Sequence, residues 1–416
     1  MKELYKKNTK CRLCKSNKII KIVSIGDSPI SEKYTTDKNI NKKQDLVPLD
    51  LYLCNECFHV QLIDIVNPDY LWSDFTFKTS RNKKIENHYE NYVKEIIKLV
   101  RKTDIKFVVD VGSNDGTLLE IFKSKKIEKI LGIDPASNIV MEANKKGIPT
   151  ITGYMNKANS QKILSQHGKA DIVTANNVYA HVNDFDDLTL SIKNILDKNG
   201  VFAFEVSYLL DVIQKKLLGT IFHEHLSYHS LGPLIKYFKK QGLEIFHVVK
   251  NNLQGGSIIC YSQHEGGPYK ITNDLIQMIQ VEEKSKLNDI NTYLDFAKDL
   301  EKLKHDINKL IDEITLKGKK IIGFGSARSA TTFIKYFDIA KKIDFILDDN
   351  KDKHGKYTPG YPIQVFPSAS LYNLNQDYVI IFAWEHSSKI INNHKKFLEE
   401  GGKFINIFPN LEIISQ

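Results

Sequence analysis

Short apolar runs alternate with amphipathic stretches through the middle of the chain. FVVDV at 107–111, KILGID at 129–134, ADIVTAN at 170–176 and GVFAFEV at 200–206 are too short for helices and are bounded by glycine or polar turns, so they predict buried strands. The stretches between them carry apolar residues at helical spacing. Strands alternating with helices predict an α/β doubly wound sheet, with ligands beyond the C-terminal ends of its strands. The same strand, glycine turn and helix pattern returns in KKIIGFGSARSATTFI at 319–334, and DFILDDN at 344–350 supplies a following strand. Between the two regions, roughly 272–316 is charged, with leucine and isoleucine at helix-like intervals. That predicts a peripheral or bridging helix with a solvated lysine face. At the start, IIKIVSIG and DLVPLDLYLC read as strands of a small β-rich module. A length of 416 residues agrees with two or three domains.

Cysteine usage sharpens the N-terminal part. Four of the five cysteines form two Cys-x-x-Cys knuckles, CRLC (Cys11, Cys14) and CNEC (Cys54, Cys57). Two such knuckles make the tetrahedral sulfur shell that zinc prefers, and four thiolates leave no position for water, so a structural rather than catalytic Zn2+ is expected. A module this small has little core and needs the metal. The fifth, Cys260, lies in an apolar run and reads as core.

Charge changes the picture less. A formal net charge of +9 favours anionic partners in general, but the lysines are scattered among acids without an Arg-rich, aromatic-interleaved stripe, so no nucleic acid is expected. No apolar run reaches about 18 residues and MKELYKKNTKCRLC has no signal-peptide core, so no membrane partner and a cytoplasmic location are expected.

The chemistry concentrates in two places. In DVGSNDG, Gly112 and Gly116 let a ligand approach the backbone ahead of a helix N-terminus. The run is neither GxGxxG nor a P-loop. Asp134 ends the next strand about twenty residues on, where a carboxylate can accept two ribose hydroxyls; a helix cap is its simpler reading. The second place is IFHEHLSYHS at 221–230. It can be a packed junction, a metal site or a proton-handling centre. Read as a helix, His223 and His225 lie about 200° apart, away from any one ion, and HExxH is absent, which argues against a metal. Histidine suits proton abstraction near neutral pH.

Asp110-Val-Gly-Ser-Asn-Asp-Gly resembles the first motif of class I S-adenosylmethionine-dependent methyltransferases, and Gly132-Ile-Asp134-Pro resembles their ribose-binding strand end. With the four-cysteine module, the third domain and the run EVSYLLDVIQ…TIFHEHLSYHS, nearly the whole chain resembles the sugar C-methyltransferase family. The resemblance implies a zinc module at 1–74, a methyltransferase domain at 75–252 and a Rossmann-like domain at 253–416 that contributes to the substrate cleft. It implies S-adenosylmethionine held by Asp110, Gly112, Asn114, Gly116, Asp134, Asn176 and Asn177. It also implies His225 as base, with Glu224 and His181 beside it. The expected substrate is a nucleotide-linked keto sugar, methylated on carbon through an enol or enolate by a monomer or weak homo-oligomer. An oxygen- or nitrogen-methyltransferase acting on a related carbohydrate, and a non-catalytic ligand-binding protein, are the competing readings.

Several positions depart from the family pattern. Phe75, Phe77 and Phe222 stand where the family has tyrosines, Gln254 where a histidine precedes two glycines, and Glu385 where asparagine often follows tryptophan. A phenyl ring lacks the hydroxyl that would bind a ketone oxygen. Phe77 and Phe222 are nominated as substrate contacts, with Tyr228, Tyr179 and His181 as stand-ins for the missing hydroxyl and Arg328 as a diphosphate contact. Gly323 and Gly325 match the first half of a dinucleotide fingerprint, which leaves NAD as an alternative ligand for the third domain if that stretch is read alone.

Overall fold

The computed structural model describes residues 3–37, 44–72, 79–81, 83–100, 105–127, 129–373 and 376–416. Its centre is a seven-stranded sheet. Across it run Thr150–Thr152, Lys129–Asp134, Phe107–Val111, Ala170–Asn176, Leu196–Ser207, Ser257–His264 and Leu243–Asn251. Numbered along the chain within this sheet, the order is 3-2-1-4-5-7-6, with only Ser257–His264 antiparallel to its neighbours. Phe107–Val111 is buried on both faces, as a central parallel strand must be. Cys260 sits opposite Phe204 in the core, as its apolar run predicts.

The expected break after residue 252 falls inside this sheet. NNLQGG is the turn of a hairpin, with Gly255 at φ 83°, and the strand that follows it slots between Leu196–Ser207 and Leu243–Asn251. Helix Asn273–Lys284 then packs on that hairpin, burying Leu275 and Glu282. Glu282 accepts from the backbone N–H groups of Leu231 (2.7 Å) and Gly232 (3.0 Å). The other expected break, after residue 74, lies outside the described residues.

A six-stranded sheet near the C-terminus runs Gln364–Pro367, Phe345–Asp348, Ile321–Phe324, Tyr378–Ile381, Lys403–Asn406 and Glu412–Ile414, parallel except for the last. It forms the second Rossmann-like unit. The 27-residue helix Ile290–Leu316 bridges the units: Tyr293, Phe296, Leu300, Ile307, Ile311 and Ile314 face inward at helical spacing. They join one core with Leu51 and Leu53 of the N-terminal module and Phe333 and Phe337 of the C-terminal unit.

The N-terminal module is not a separate bead. Its sheet orders Ile19–Val23, Leu51–Cys54, Val60–Gln61 and then Ser227–Tyr228, which belongs to the IFHEHLSYHS segment. The second half of that segment is therefore an edge strand of the cysteine module. Among the described residues no helix is long and apolar enough to cross a membrane.

Candidate active site

A cavity of about 710 Å³ opens at the C-terminal ends of the central strands and is closed on its far side by the C-terminal unit. At one end, Gly112 turns the chain with φ +70°, and a Cβ there would lie 2.6 Å from a Val178 methyl. Asn114, also left-handed, gives its N–H to Asp134 Oδ2 (3.0 Å), and Ala136 gives its N–H to Oδ1 (2.9 Å). These bonds fix the Asp134 carboxylate in the cavity wall while leaving lone pairs for a further donor. Asn176 and Asn177 follow on the next strand end, and both line the cavity. Neither side-chain amide atom of Asn176 has a protein partner.

Two nominated cofactor contacts lie elsewhere. Asp110 is buried beneath the loop, accepts from Thr174 Oγ1 at 2.7 Å and does not line the cavity. Burial pushes its carboxyl up to about 7. Asp110 lies inside Phe107–Val111, a strand buried on both faces, whereas Gly112 stands in the turn beyond its end. Gly116 is the left-handed residue ahead of helix Thr117–Ser124, and a Cβ there would strike Ile148 at 2.8 Å; its work is steric, away from the cavity.

At the other end stands the turn Phe222-His223-Glu224-His225, closed by His225 N–H to Phe222 O at 2.9 Å. His225 Nδ1 lies 2.8 Å from Thr220 O. A carbonyl only accepts, so the proton sits on Nδ1 and the Nε2 lone pair is free. Burial first, and then neighbouring His181, hold this imidazole well below its usual range, so it is neutral near pH 7. His181 Nδ1 donates in the same way to Glu224 O (2.7 Å), and burial lowers it to about 4. His181 therefore clamps this turn through its Nδ1 proton. Glu224 Oε1 accepts from Arg328 Nε at 3.2 Å, whereas buried Oε2 has no partner. Burial raises the Glu224 carboxyl.

His223 turns the opposite way, with Nε2 3.0 Å from Val47 O in the N-terminal module. The two imidazoles point apart, one to Val47 O and the other to Thr220 O, and do not meet on one ion. Phe222 lines the cavity with its ring 3.9 Å from the His225 ring, centroid to centroid. Tyr228 does not line it: its hydroxyl donates to Thr220 O at 3.3 Å, because pairing with Val60 aims the residue inward. The Tyr179 hydroxyl is engaged with Thr189 Oγ1 at 2.9 Å in the core. Neither tyrosine replaces a hydroxyl missing at Phe222. Phe75 and Phe77 lie outside the described residues.

Sequence reasoning missed several wall residues. Glu205, near the C-terminal end of strand Leu196–Ser207, lines the cavity, with its oxygens 2.7 Å from His88 Nε2 and 2.7 Å from Asn251 Nδ2. The rule that ligands sit at strand ends could have found it. Glu32 and Lys353 pair at 3.2 Å from loops 321 residues apart, which no local pattern signals. Arg328 opens helix Arg328–Phe337 and lies in the wall with Lys353 and Glu385.

The cysteines meet as predicted. All four Sγ atoms lie within 4.8 Å of one another, with Cys11–Cys57 and Cys14–Cys54 at 3.5 Å. A tetrahedral zinc with bonds of about 2.3 Å needs sulfurs roughly 3.8 Å apart, so the set fits a closed structural site. The Gly112 turn, the fixed Asp134 carboxylate and the unpartnered Asn176 amide fit the amino-acid and ribose ends of S-adenosylmethionine.

Comparison with known proteins agrees with this geometry. The family model for a zinc binding domain matches residues 11–72, that for a methyltransferase domain residues 85–248, and that for a C-methyltransferase C-terminal domain residues 252–409. C-methyltransferase NovU of Streptomyces niveus is 29% identical over 416 residues, covering 100% of this chain and 99% of the relative. Among solved structures, a S-adenosylmethionine-dependent methyltransferase from Clostridium acetobutylicum ATCC 824 has 14% identity and a TM-score of 0.36, covering 44% of this chain and 92% of that one. Magnesium protoporphyrin IX methyltransferase from Synechocystis PCC 6803, with bound SAH, has 16% identity and a TM-score of 0.35, covering 47% and 92%. Three matched domain models, a four-thiolate zinc site and a methyltransferase sheet closed by a second Rossmann-like unit identify the chain as a S-adenosylmethionine-dependent methyltransferase, similar over its whole length to a C-methyltransferase.

Proposed function

We propose that the enzyme methylates a carbon next to the ketone of a nucleotide-linked keto-deoxysugar, through an enol or enolate. The observation that carries this reading is the neutral His225 imidazole, with a fixed Nδ1 proton and a free Nε2, beside the unpartnered Glu224 Oε2 in a walled cavity. Bound S-adenosylmethionine supplies an electrophilic methyl group on a sulfonium. His225 Nε2 accepts the proton from the carbon beside the ketone. Glu224 Oε2 accepts a sugar hydroxyl, which would satisfy its buried lone pairs. Arg328 places positive charge beside Phe222, 5.9 Å from the ring centroid, and with Lys353 offers the cations that suit a diphosphate. His181 holds the turn in place. The phenyl ring of Phe222 packs on His225 and excludes water.

Incubation with a 4-keto-6-deoxy nucleotide sugar in deuterated water tests the reading. Deuterium should enter beside the ketone, and NMR of the product should show a new carbon-bound methyl. A methyl on oxygen without deuterium incorporation would defeat it in favour of oxygen methylation.

Asp134→Ala should weaken binding of S-adenosylhomocysteine by roughly ten- to hundredfold, since a hydrogen bond to a charged group is worth about 1.5–3 kcal/mol. Calorimetric titration reads this directly. An unchanged affinity would remove Asp134 from the cofactor site.

A further inference from the structure

Arg12 stands between two zinc ligands, Cys11 and Cys14, yet its side chain is 1% exposed. A buried guanidinium must be paired to be tolerated. Its Nη1 donates to three oxygens: Leu62 O (2.5 Å), Gln61 Oε1 (3.1 Å) and Leu226 O (3.1 Å). Its Nε and Nη2 have no hydrogen-bond partner. Four thiolates around a divalent zinc carry a net charge of about −2, and Arg12 is the buried cation beside them.

Leu226 immediately follows His225. Its carbonyl also accepts from Leu62 N–H at 2.9 Å, and the next residues pair with the module as Ser227↔Gln61 and Tyr228↔Val60. Gln61 takes part twice, since its Oε1 also accepts the backbone N–H of Arg12 at 3.1 Å. One side chain therefore spans from the cysteine knuckle to the peptide beside the catalytic imidazole.

We propose that Arg12 is a positioning residue that couples the zinc centre to the catalytic turn, so that the knuckle sets the placement of His225 as well as holding the N-terminal module together. This rests on the reading of His225 as the base. The coupling is specific to one end of the cavity. Asp134 ends a central strand, Gly112 turns the chain just beyond another, and the guanidinium bonds of Arg12 go to Gln61, Leu62 and Leu226, so the cofactor end should not sense the change.

The test uses the full-length, zinc-loaded enzyme with Arg12→Met, Arg12→Lys and Gln61→Leu. Zinc content should match wild type, and affinity for S-adenosylhomocysteine should stay within about threefold, well under 1 kcal/mol. Hydrogen exchange in the peptide spanning 221–230 should rise roughly tenfold, while the 107–117 peptide keeps its protection. Turnover should fall roughly ten- to hundredfold, the scale of a small misplacement of a reacting group, with KM for S-adenosylmethionine unchanged. Arg12→Lys should recover part of the loss, because an ammonium can still reach one carbonyl. The proposal is overturned if 221–230 stays protected in zinc-loaded Arg12→Met, or if 107–117 loosens equally. Should Arg12→Met fail to fold, unchanged protection of 221–230 in Gln61→Leu overturns it. A His225 variant with full turnover would defeat the base assignment alone and leave the exchange result standing.

Discussion

His225→Gln should lower turnover by roughly 10²- to 10⁴-fold, the usual contribution of a positioned general base. Glutamine keeps similar bulk against Phe222 but offers no basic nitrogen. Affinity for S-adenosylhomocysteine should hold, because Asp134, Gly112 and Asn176 lie at the other end of the cavity. Deuterium entry beside the ketone should fall with turnover, which separates loss of the base from loss of cofactor binding. The pH dependence follows from the direction of the shift. The base works as neutral imidazole, and burial lowers its folded-state value below 6.5, so it remains neutral further into acid than an ordinary histidine. The acidic limb of kcat/KM should therefore lie below pH 6.5 in wild type. A limb at or above the ordinary value, or full turnover in the glutamine variant, would exclude His225 as the base.

The residues that were legible beforehand owe it to short-range constraints. Cys11 with Cys14 and Cys54 with Cys57 were readable because a knuckle is local and its spacing is part of the chemistry. Asp134 was readable because a hydrophobic strand ends on it at a set distance from a glycine turn. His225 was singled out by composition and its role came from the family resemblance, but its working nitrogen was not visible. That depends on Thr220 O accepting from Nδ1. Side-chain direction was the hidden variable elsewhere too. Asp110 and Tyr228 have the right chemistry and face the wrong way, one toward Thr174 and the other toward Thr220 O. The border expected after residue 252 coincides with the start of the matched C-terminal domain, but that the strand beyond it, Ser257–His264, returns to the central sheet was hidden, because strand pairing is set by packing and not by local composition. Lys353 with Glu32, and Arg12 with Leu226, were beyond reach because their partners lie hundreds of residues away and are set by packing.

Removing zinc should cost more than the N-terminal module. With Cys54→Ser, or after chelation, calorimetry should show a separate low-temperature transition, while the central sheet melts near its original temperature. The reason is that the cluster private to the module, Ile30, Val47 and Val66, is small, its other apolar residues such as Leu51 and Leu53 being shared with the bridging helix, and structural zinc sites in small modules supply about 10–16 kcal/mol of apparent binding free energy. Val60–Gln61 is the strand on which Ser227–Tyr228 pairs, and His223 is held by Val47 O. When those anchors loosen, the turn carrying Glu224 and His225 loses one wall and keeps its contacts with His181 and Ala180 and, from the C-terminal unit, with Arg328 and Thr332. Turnover should drop roughly a hundredfold or more, by the same sensitivity to misplacement that governs any positioned base. S-adenosylhomocysteine should still bind, because Asp134 and the Gly112 turn are held by the pairing of Phe107–Val111 with Lys129–Asp134 and by the Asn114 and Ala136 N–H groups, although Cys11, Leu13 and Cys54 share the core beside that sheet. This pattern of lost turnover, retained cofactor affinity and a split melting profile separates zinc as a support of the catalytic turn from zinc as a remote staple. A zinc-free enzyme that melts in one transition and turns over normally would show that the catalytic turn stands without the module.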